Sequence, residues 1–289
     1  MPRGLDHIVH AVRDLDAAAA LYRRLGFTVG ARNRHSWGTH NHIVQLPGFF
    51  IEPLTLAEPE KLGTDGFSRL FGAYNGEFLK RTEGLSILIL ESSDAASDEK
   101  SFRDAGIAAS DVMRFEREGK KPDGSAVKVA FSLAFAEDKG APDIHFATCQ
   151  QHDPQNFWNP DFQQHANSAR GVAGIVIVAE KPTEHRDFLA AFSGQTDVRT
   201  SGNTITANTP RGEITIVDEA AFHTAYGTAP PSTARGARLA AVRFVVTDIA
   251  AAEDALAAAE LAASVEASRI VVDPQSAMGA TVVFEAAAG

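Results

Sequence analysis

The sequence predicts an α+β protein of four βαβββ modules arranged as two paired units. Three observations predict it. Apolar, β-branched segments of common pattern open at roughly 80-residue intervals: GLDHIVHAV, GLSILILES, GVAGIVIVA and LAAVRFVVT. A helix-forming stretch follows each one, and about three strands joined by short turns follow each helix. That order favours antiparallel pairing, because a doubly wound parallel sheet places a helix after nearly every strand.

The elements follow in order. LDHIVHAV (5–12) is short, β-branched and bounded by Asp and Gly, so it reads as a strand. Asp14 or Asp16 can cap the next helix, since a short carboxylate accepts the free N–H groups of a first turn. AAAALYRRLG then supplies helix formers, two arginines in the last turn and Gly26 as a stop. Residues 27–34 are expected to give a further strand. Asn41–Leu46 and Phe49–Leu54 flank Pro47-Gly48 and read as a hairpin.

The second copy has a strand at 83–92, a helix at 93–106 closed by Gly106, and long strands at 126–136 and 143–150. In the third, GVAGIVIVAE precedes a helix at 182–194 and strands at 204–208 and 213–218. The fourth runs from RLAAVRFVVTD through an alanine-rich helix at 249–263 to strands at 270–272 and 280–285. Residues 151–170 lack periodicity but carry Pro, Asn and a Trp-Phe-containing stretch, and 225–236 is rich in Pro, Thr and Gly. The first of these divides the chain into expected units at 1–168 and 169–289. Its aromatics mark an ordered connector, since a free linker would be Gly/Ser-rich.

Composition removes several classes of function. With 44% hydrophobic and 22% charged residues over 289, the chain is not globally disordered. A formal charge of −10 argues against nucleic-acid or anionic-membrane binding, both of which need a basic face. The single cysteine, Cys149, excludes an intrachain disulfide framework or a cysteine-rich zinc site. The start, MPRGLDHIVHAVRDLD, has an acid within six residues and no apolar core, so a cytoplasmic setting is expected.

Among polar clusters, Arg34, His35, Trp37, Thr39, His40, Asn41 and His42 crowd one strand entrance. Polar groups interleaved with an aromatic ring suit the mouth of a small-molecule pocket; His40 and His42 also share a strand face, which allows metal ligation. Trp158 and His165 lie in the connector, where Trp158 either stacks on a planar ligand or anchors the segment. RFEREGKKPDG, with Arg114, Arg117, Lys120 and Lys121, reads as a solvated turn, and glycine-rich 63–78 lacks the context of a phosphate loop. No G-x-S-x-G elbow is present and Cys149 has no adjacent base, so covalent catalysis has no support.

LDHIVHAVRDLDAAAALYRRLGF, WGTHNHIVQLPGFFIEPL and CQQHDPQNFWNPDFQQHANSA resemble the vicinal oxygen chelate superfamily, and within it the glyoxalase-like (glyoxalase/bleomycin resistance/dioxygenase-like) domain proteins. The resemblance implies that modules pair into two cupped mixed sheets, with a divalent metal (Zn, Fe, Mn, Co or Ni) often held in the cup. By that pattern His7 and Glu52 are expected metal ligands, and Glu52 also a proton carrier. Alternation then puts His7, Val9 and Ala11 on the cup face if the helix covers His10. The third ligand stays open between Gln150, His152 and His145, because Ile87 stands where His7 stands and His145 counts as opposite Glu52. Gly174, Ala241 and Ile216 leave the second unit without ligands. Trp37, Asn41, His42, Gln150 and Trp158 are expected to bind the small molecule. The implied function is a lyase- or dioxygenase-like enzyme; the alternative is a metal-free drug- or antibiotic-binding protein, monomeric or homodimeric.

Overall fold

Burial along the opening strand sets the architecture. Leu5 and Ile8 pack with helix residues Leu21, Tyr22 and Leu25, whereas Val9 packs with Leu54, Ile87 and Leu133 on the opposite face. The computed structural model describes residues 1–120, 126–266 and 268–287.

The first half runs β1 (Leu5–Ala11), α1 (Leu15–Arg24), β2 (Asn33–Arg34), β3 (Thr39–Asn41), β4 (Val44–Leu46), β5 (Phe49–Leu56), a π-helical turn at Ser68–Ala73, α2 (Tyr74–Arg81), β6 (Gly84–Glu91), α3 (Ala95–Asp104), β7 (Met113–Lys120), β8 (Ala126–Ala136) and β9 (His145–Gln151). After α4 (Pro154–Phe157), the second half runs β10 (Ala169–Val178), α5 (Arg186–Ser193), β11 (Val198–Ser201), β12 (Thr204–Asn208), β13 (Glu213–Val217), α6 (Glu219–Tyr226), β14 (Arg238–Val246), α7 (Ile249–Ala258), β15 (Ala263–Glu266), β16 (Arg269–Val272) and β17 (Thr281–Ala286).

Two mixed sheets result, ordered β2-β3-β5-β1-β6-β9-β8-β7, with β4 on β5, and β11-β12-β13-β10-β14-β17-β16-β15. In each, the first strands of two βαβββ modules meet antiparallel, and each pairs in parallel with the last strand of its own module. Local chemistry explains the boundaries. Asp14, not Asp16, caps α1, its Oδ1 accepting from Ala17 N at 2.9 Å; Gly26 takes φ +84° just beyond the helix. Gly48, at φ +69°, turns β4 into β5.

Several expectations shift. The strand foreseen at 27–34 is only Asn33–Arg34, because Phe27 leaves the sheet for a core shared with the second unit. RFEREGK is an edge strand, β7, with Phe115 and Arg117 turned inward and Arg114, Glu116 and Glu118 exposed. The proposed turn at Lys121–Gly124 lies outside the described residues. The glycine-rich 63–78 folds into the π-helical turn and the start of α2. The last alanine-rich helix stops at Ala258, and Ala263–Glu266 becomes edge strand β15.

The helix-bearing faces of the two sheets share one apolar core, with Phe27 edge-on to Phe244 at 5.1 Å. At its rim Arg211 Nη1 donates to Leu5 O (2.8 Å) and Arg3 Nη1 to Phe192 O (2.8 Å). His10 faces this side, bonded to the Tyr22 hydroxyl and to Met278 O. His7 is therefore left to the other face. No helix among the described residues is long and apolar enough to cross a membrane.

Candidate functional site

The floor of the first cup depends on a bulge. Leu5 pairs with Leu90 but His7 with Ile89, so Asp6 is an extra residue in β1. A bulge turns two neighbouring side chains to one side of a sheet, and here both point into the cup. His7 Nδ1 lies 2.5 Å from Asp6 Oδ1. A carboxylate only accepts, so Nδ1 carries a proton, and in the neutral ring the lone pair is the one on Nε2. Gln151 Nε2 donates to the second carboxylate oxygen, Asp6 Oδ2, at 3.0 Å. The His7 ring stacks on Phe50, centroids 4.1 Å apart. Position and tautomer are both held.

Glu52 stands on β5 opposite Val9, one rung along on the same face, and both it and His7 line the cavity. Asn41 Nδ2 donates to Glu52 Oε1 at 2.5 Å, and Asn33 Nδ2 holds Asn41 Oδ1 at 3.0 Å. Burial pushes the Glu52 carboxyl above its ordinary value, while His7 and the Asn41 hydrogen bond pull it partly back. Cys149 also lines the floor; burial, reinforced by Asp6 and Glu52, holds it as a thiol well above its usual range.

Stability should record this strain. The unfolded chain releases the Glu52 proton near its ordinary value of 4.5, whereas the folded chain keeps it to higher pH. The residue therefore costs stability as pH rises above that value. Glu52→Gln keeps an acceptor for Asn41, so it is expected to raise Tm by a few degrees near about pH 7 and to lose the advantage below about pH 4. Calorimetry across pH checks this; an equal gain at every pH would show that the carboxyl ionises freely.

Aromatic rings build the walls. Trp37 stacks between His35 (4.5 Å) and Phe67 (4.8 Å) and meets Phe115 edge-on at 5.0 Å, closing one edge of the sheet towards the other. Phe50, Phe71, Phe131 and Phe157 complete the lining of about 610 Å³ of empty space, its open mouth included. Burial lowers the His35 pKa to about 3, helped by Arg117 and His40, so its ring is neutral. Arg117 lines the same cavity from β7.

The expected residues divide. His7, Glu52, Trp37 and Asn41 come together in the cup. The other four, His42, Gln150, His152 and Trp158, lie elsewhere. His42 bonds Gly30 O through Nδ1 on the outer side of its strand, and His40 pairs with Glu58 there. Gln150 points to the start of α3, bonding Ala95 N and Ser93 O. His152 is held by Ser132 Oγ (2.8 Å) and Arg114, away from His7 and Glu52. Trp158 packs against Phe50 and Phe157 from behind, so Phe157 is the connector residue that reaches the cavity.

Register also moves two equivalences. His7 pairs with Phe50 and Val9 with Glu52; Ile87 pairs with His145 and Ile89 with Ala147. Ala147, not His145, therefore matches Glu52. His145 is covered by Tyr74 at 3.4 Å and bonds Leu70 O, and burial lowers its pKa to about 4. In the second unit Thr215 rather than Ile216 matches Glu52. That cup is filled: Phe222 of α6 is fully buried in it, and Arg243 is clamped by Glu213 (2.5 Å) and Glu285 (2.7 and 2.9 Å).

The donor set does not fit a metal held by the protein. An Asp-oriented imidazole with a free Nε2 is what a ligating histidine needs, and Glu52 would be a second donor. A catalytic ion usually takes three protein ligands. The two module-two positions are Ile87 and Ala147, and no group of three or more His, Cys, Asp or Glu suited to a metal occurs among the described residues.

Curled mixed sheets of paired βαβββ modules around a cup define a vicinal oxygen chelate fold. The family model for a glyoxalase-like domain matches residues 5–192, and the chain belongs to that family. Solved structures agree on the fold. A hypothetical protein from Staphylococcus aureus matches with a TM-score of 0.69 at 13% identity, over 99% of this chain and 100% of that one. A triple mutant of 4-hydroxymandelate synthase from Streptomyces coelicolor matches with a TM-score of 0.61 at 12% identity, over 98% and 93%. A xylose isomerase-like TIM barrel/4-hydroxyphenylpyruvate dioxygenase fusion protein matches with a TM-score of 0.55 at 14% identity, over 100% of this chain and 49% of that one. No curated protein matches the chain.

Proposed function

We propose that the first cup is the active site of a glyoxalase-like enzyme that moves a proton on a small, planar, oxygen-bearing organic molecule without a protein-held metal. One observation carries this reading: Asp6 fixes the His7 tautomer so that Nε2 offers a lone pair to the cavity, beside a buried Glu52. His7 Nε2 removes a proton from carbon next to a carbonyl, and the C–H electron pair moves onto the carbonyl oxygen. Glu52, whose carboxyl burial pushes towards its protonated form, hydrogen-bonds that oxygen as charge develops. The proton then returns from His7 to carbon. Asp6 stabilises the imidazolium in between, and the aromatic walls exclude water.

The test is hydrogen–deuterium exchange in D2O over a panel of enolisable ketones, with protein treated with EDTA. Deuterium incorporation that survives chelation is expected. Loss of exchange on chelation, with recovery on one equivalent of a divalent cation, would return the site to metal chemistry. The aromatic lining favours a second reading, a non-catalytic binder: saturable binding of planar compounds with no exchange on any of them would establish it.

A further inference from the structure

Arg117 is an odd residue to find in an aromatic cavity. It sits half-buried on edge strand β7, and the nearby acid Glu116 is taken by Lys128 (2.7 Å) and Arg114 (3.4 Å) on the outer face. No carboxylate pairs with Arg117 among the described residues. Its neighbours in the cavity are Phe115, Phe131 and the neutral ring of His35. A half-buried guanidinium without a carboxylate partner among the described residues is costly, and it borders this aromatic cavity on one side and an open surface hollow on the other.

Resting on the reading of this cup as a small-molecule site, we infer that its ligand is a planar organic acid whose carboxylate is taken by Arg117 at the mouth while its far end meets His7 and Glu52. Register gives the span. Leu133 pairs with Cys149 at the floor, Phe131 with Phe115 one step out, and Val129 with Arg117 a further step out. Four residues of strand separate floor from mouth, roughly 13 Å at ~3.3 Å each, less the reach of the arginine. A one- or two-ring acid fills that length with its ring between Trp37, Phe115 and Phe131. The guanidinium fork matches a carboxylate in two parallel hydrogen bonds. A phosphate would bring a second negative charge into a cavity whose lining offers no second Lys or Arg among the described residues.

The test titrates the intact chain with 2-naphthoate, its neutral isostere 2-naphthamide and 2-naphthyl phosphate, read by calorimetry and by quenching of tryptophan fluorescence. The acid is expected to bind about tenfold or more tighter than the amide. Arg117→Gln should erase that ratio by weakening the acid alone, and Arg117→Lys should keep part of it, having the charge without the fork. Equal binding of acid and amide in the natural protein, or an Arg117→Gln variant that weakens both alike, overturns the assignment and leaves the planar-ligand reading standing. Phosphate tighter than carboxylate overturns the monoanion. Failure of all three probes to bind overturns both readings.

Discussion

His7→Gln is expected to lower proton exchange by about 10²–10⁴-fold, the usual contribution of a positioned general base. Glutamine approximates the reach of the ring but has no basic nitrogen, so the loss should fall on turnover more than on binding of planar compounds. Asp6 separates orientation from charge. Gln151 Nε2 now donates to Asp6 Oδ2, while Gln151 Oε1 is buried without a partner among the described residues. In Asp6→Asn the Gln151 amide can rotate and offer Oε1 to the new N–H group, leaving the asparagine oxygen to accept from His7 Nδ1. Tautomer and ring position survive, and only the carboxylate beside the imidazolium is lost. That change is expected to cost about 10–100-fold. Asp6→Ala removes orientation as well and should approach His7→Gln. Exchange rates with one enolisable ketone, with ligand affinity measured in parallel, give the order. Equal rates in Asp6→Ala and the natural chain would remove Asp6 from the mechanism.

The parts of this site that could be read beforehand are those governed by period and turn chemistry. Strand alternation puts His7 opposite the His10–Tyr22 face, and the Pro47-Gly48 turn sets the register of Glu52. Asp6 escapes a period-two reading, because plain alternation assigns it to the helix side. A one-residue bulge reverses that and has no signature in a single sequence. The same period-two logic separates Gln150, which holds the start of α3, from Gln151, which holds Asp6. Counting back from a loop placed His145 two residues out of register with Glu52, an error that only pairing along β6 and β9 corrects. Arg117 lay inside a charge-rich segment whose composition suggests solvent. Its alternation with Glu116 and Glu118, and the inward Phe115, was the signal for an edge strand. Phe67 and Phe71, four apart, carry helical spacing that the surrounding glycines obscured.

Phe27→Ala is expected to cost about 3–5 kcal/mol and to lower Tm by roughly 6–15 °C for a chain of this size. Phe27 follows Gly26 at the end of α1 and turns out of the first unit. Its buried ring meets Phe244 at 5.1 Å, Phe284 at 5.9 Å and His165 at 5.1 Å. The first two belong to β14 and β17 of the second sheet, the third to the connector, so one side chain ties both sheets and the connector together. The cavity left cannot close easily, because rigid strands carry two of the three neighbours. Phe27 also lies on the helix side of the first sheet, opposite the cup. Well below its melting temperature the variant should therefore keep the natural exchange rate per folded molecule while losing stability as a whole. A second unit whose cup is closed by Phe222 and by Arg243 between Glu213 and Glu285 then contributes through the shared core rather than through chemistry. Calorimetry decides the point: one cooperative transition, moved down as a unit, is the outcome of a shared core. Two transitions, with only one displaced, would mean that the halves stand independently and that the second does not support the site.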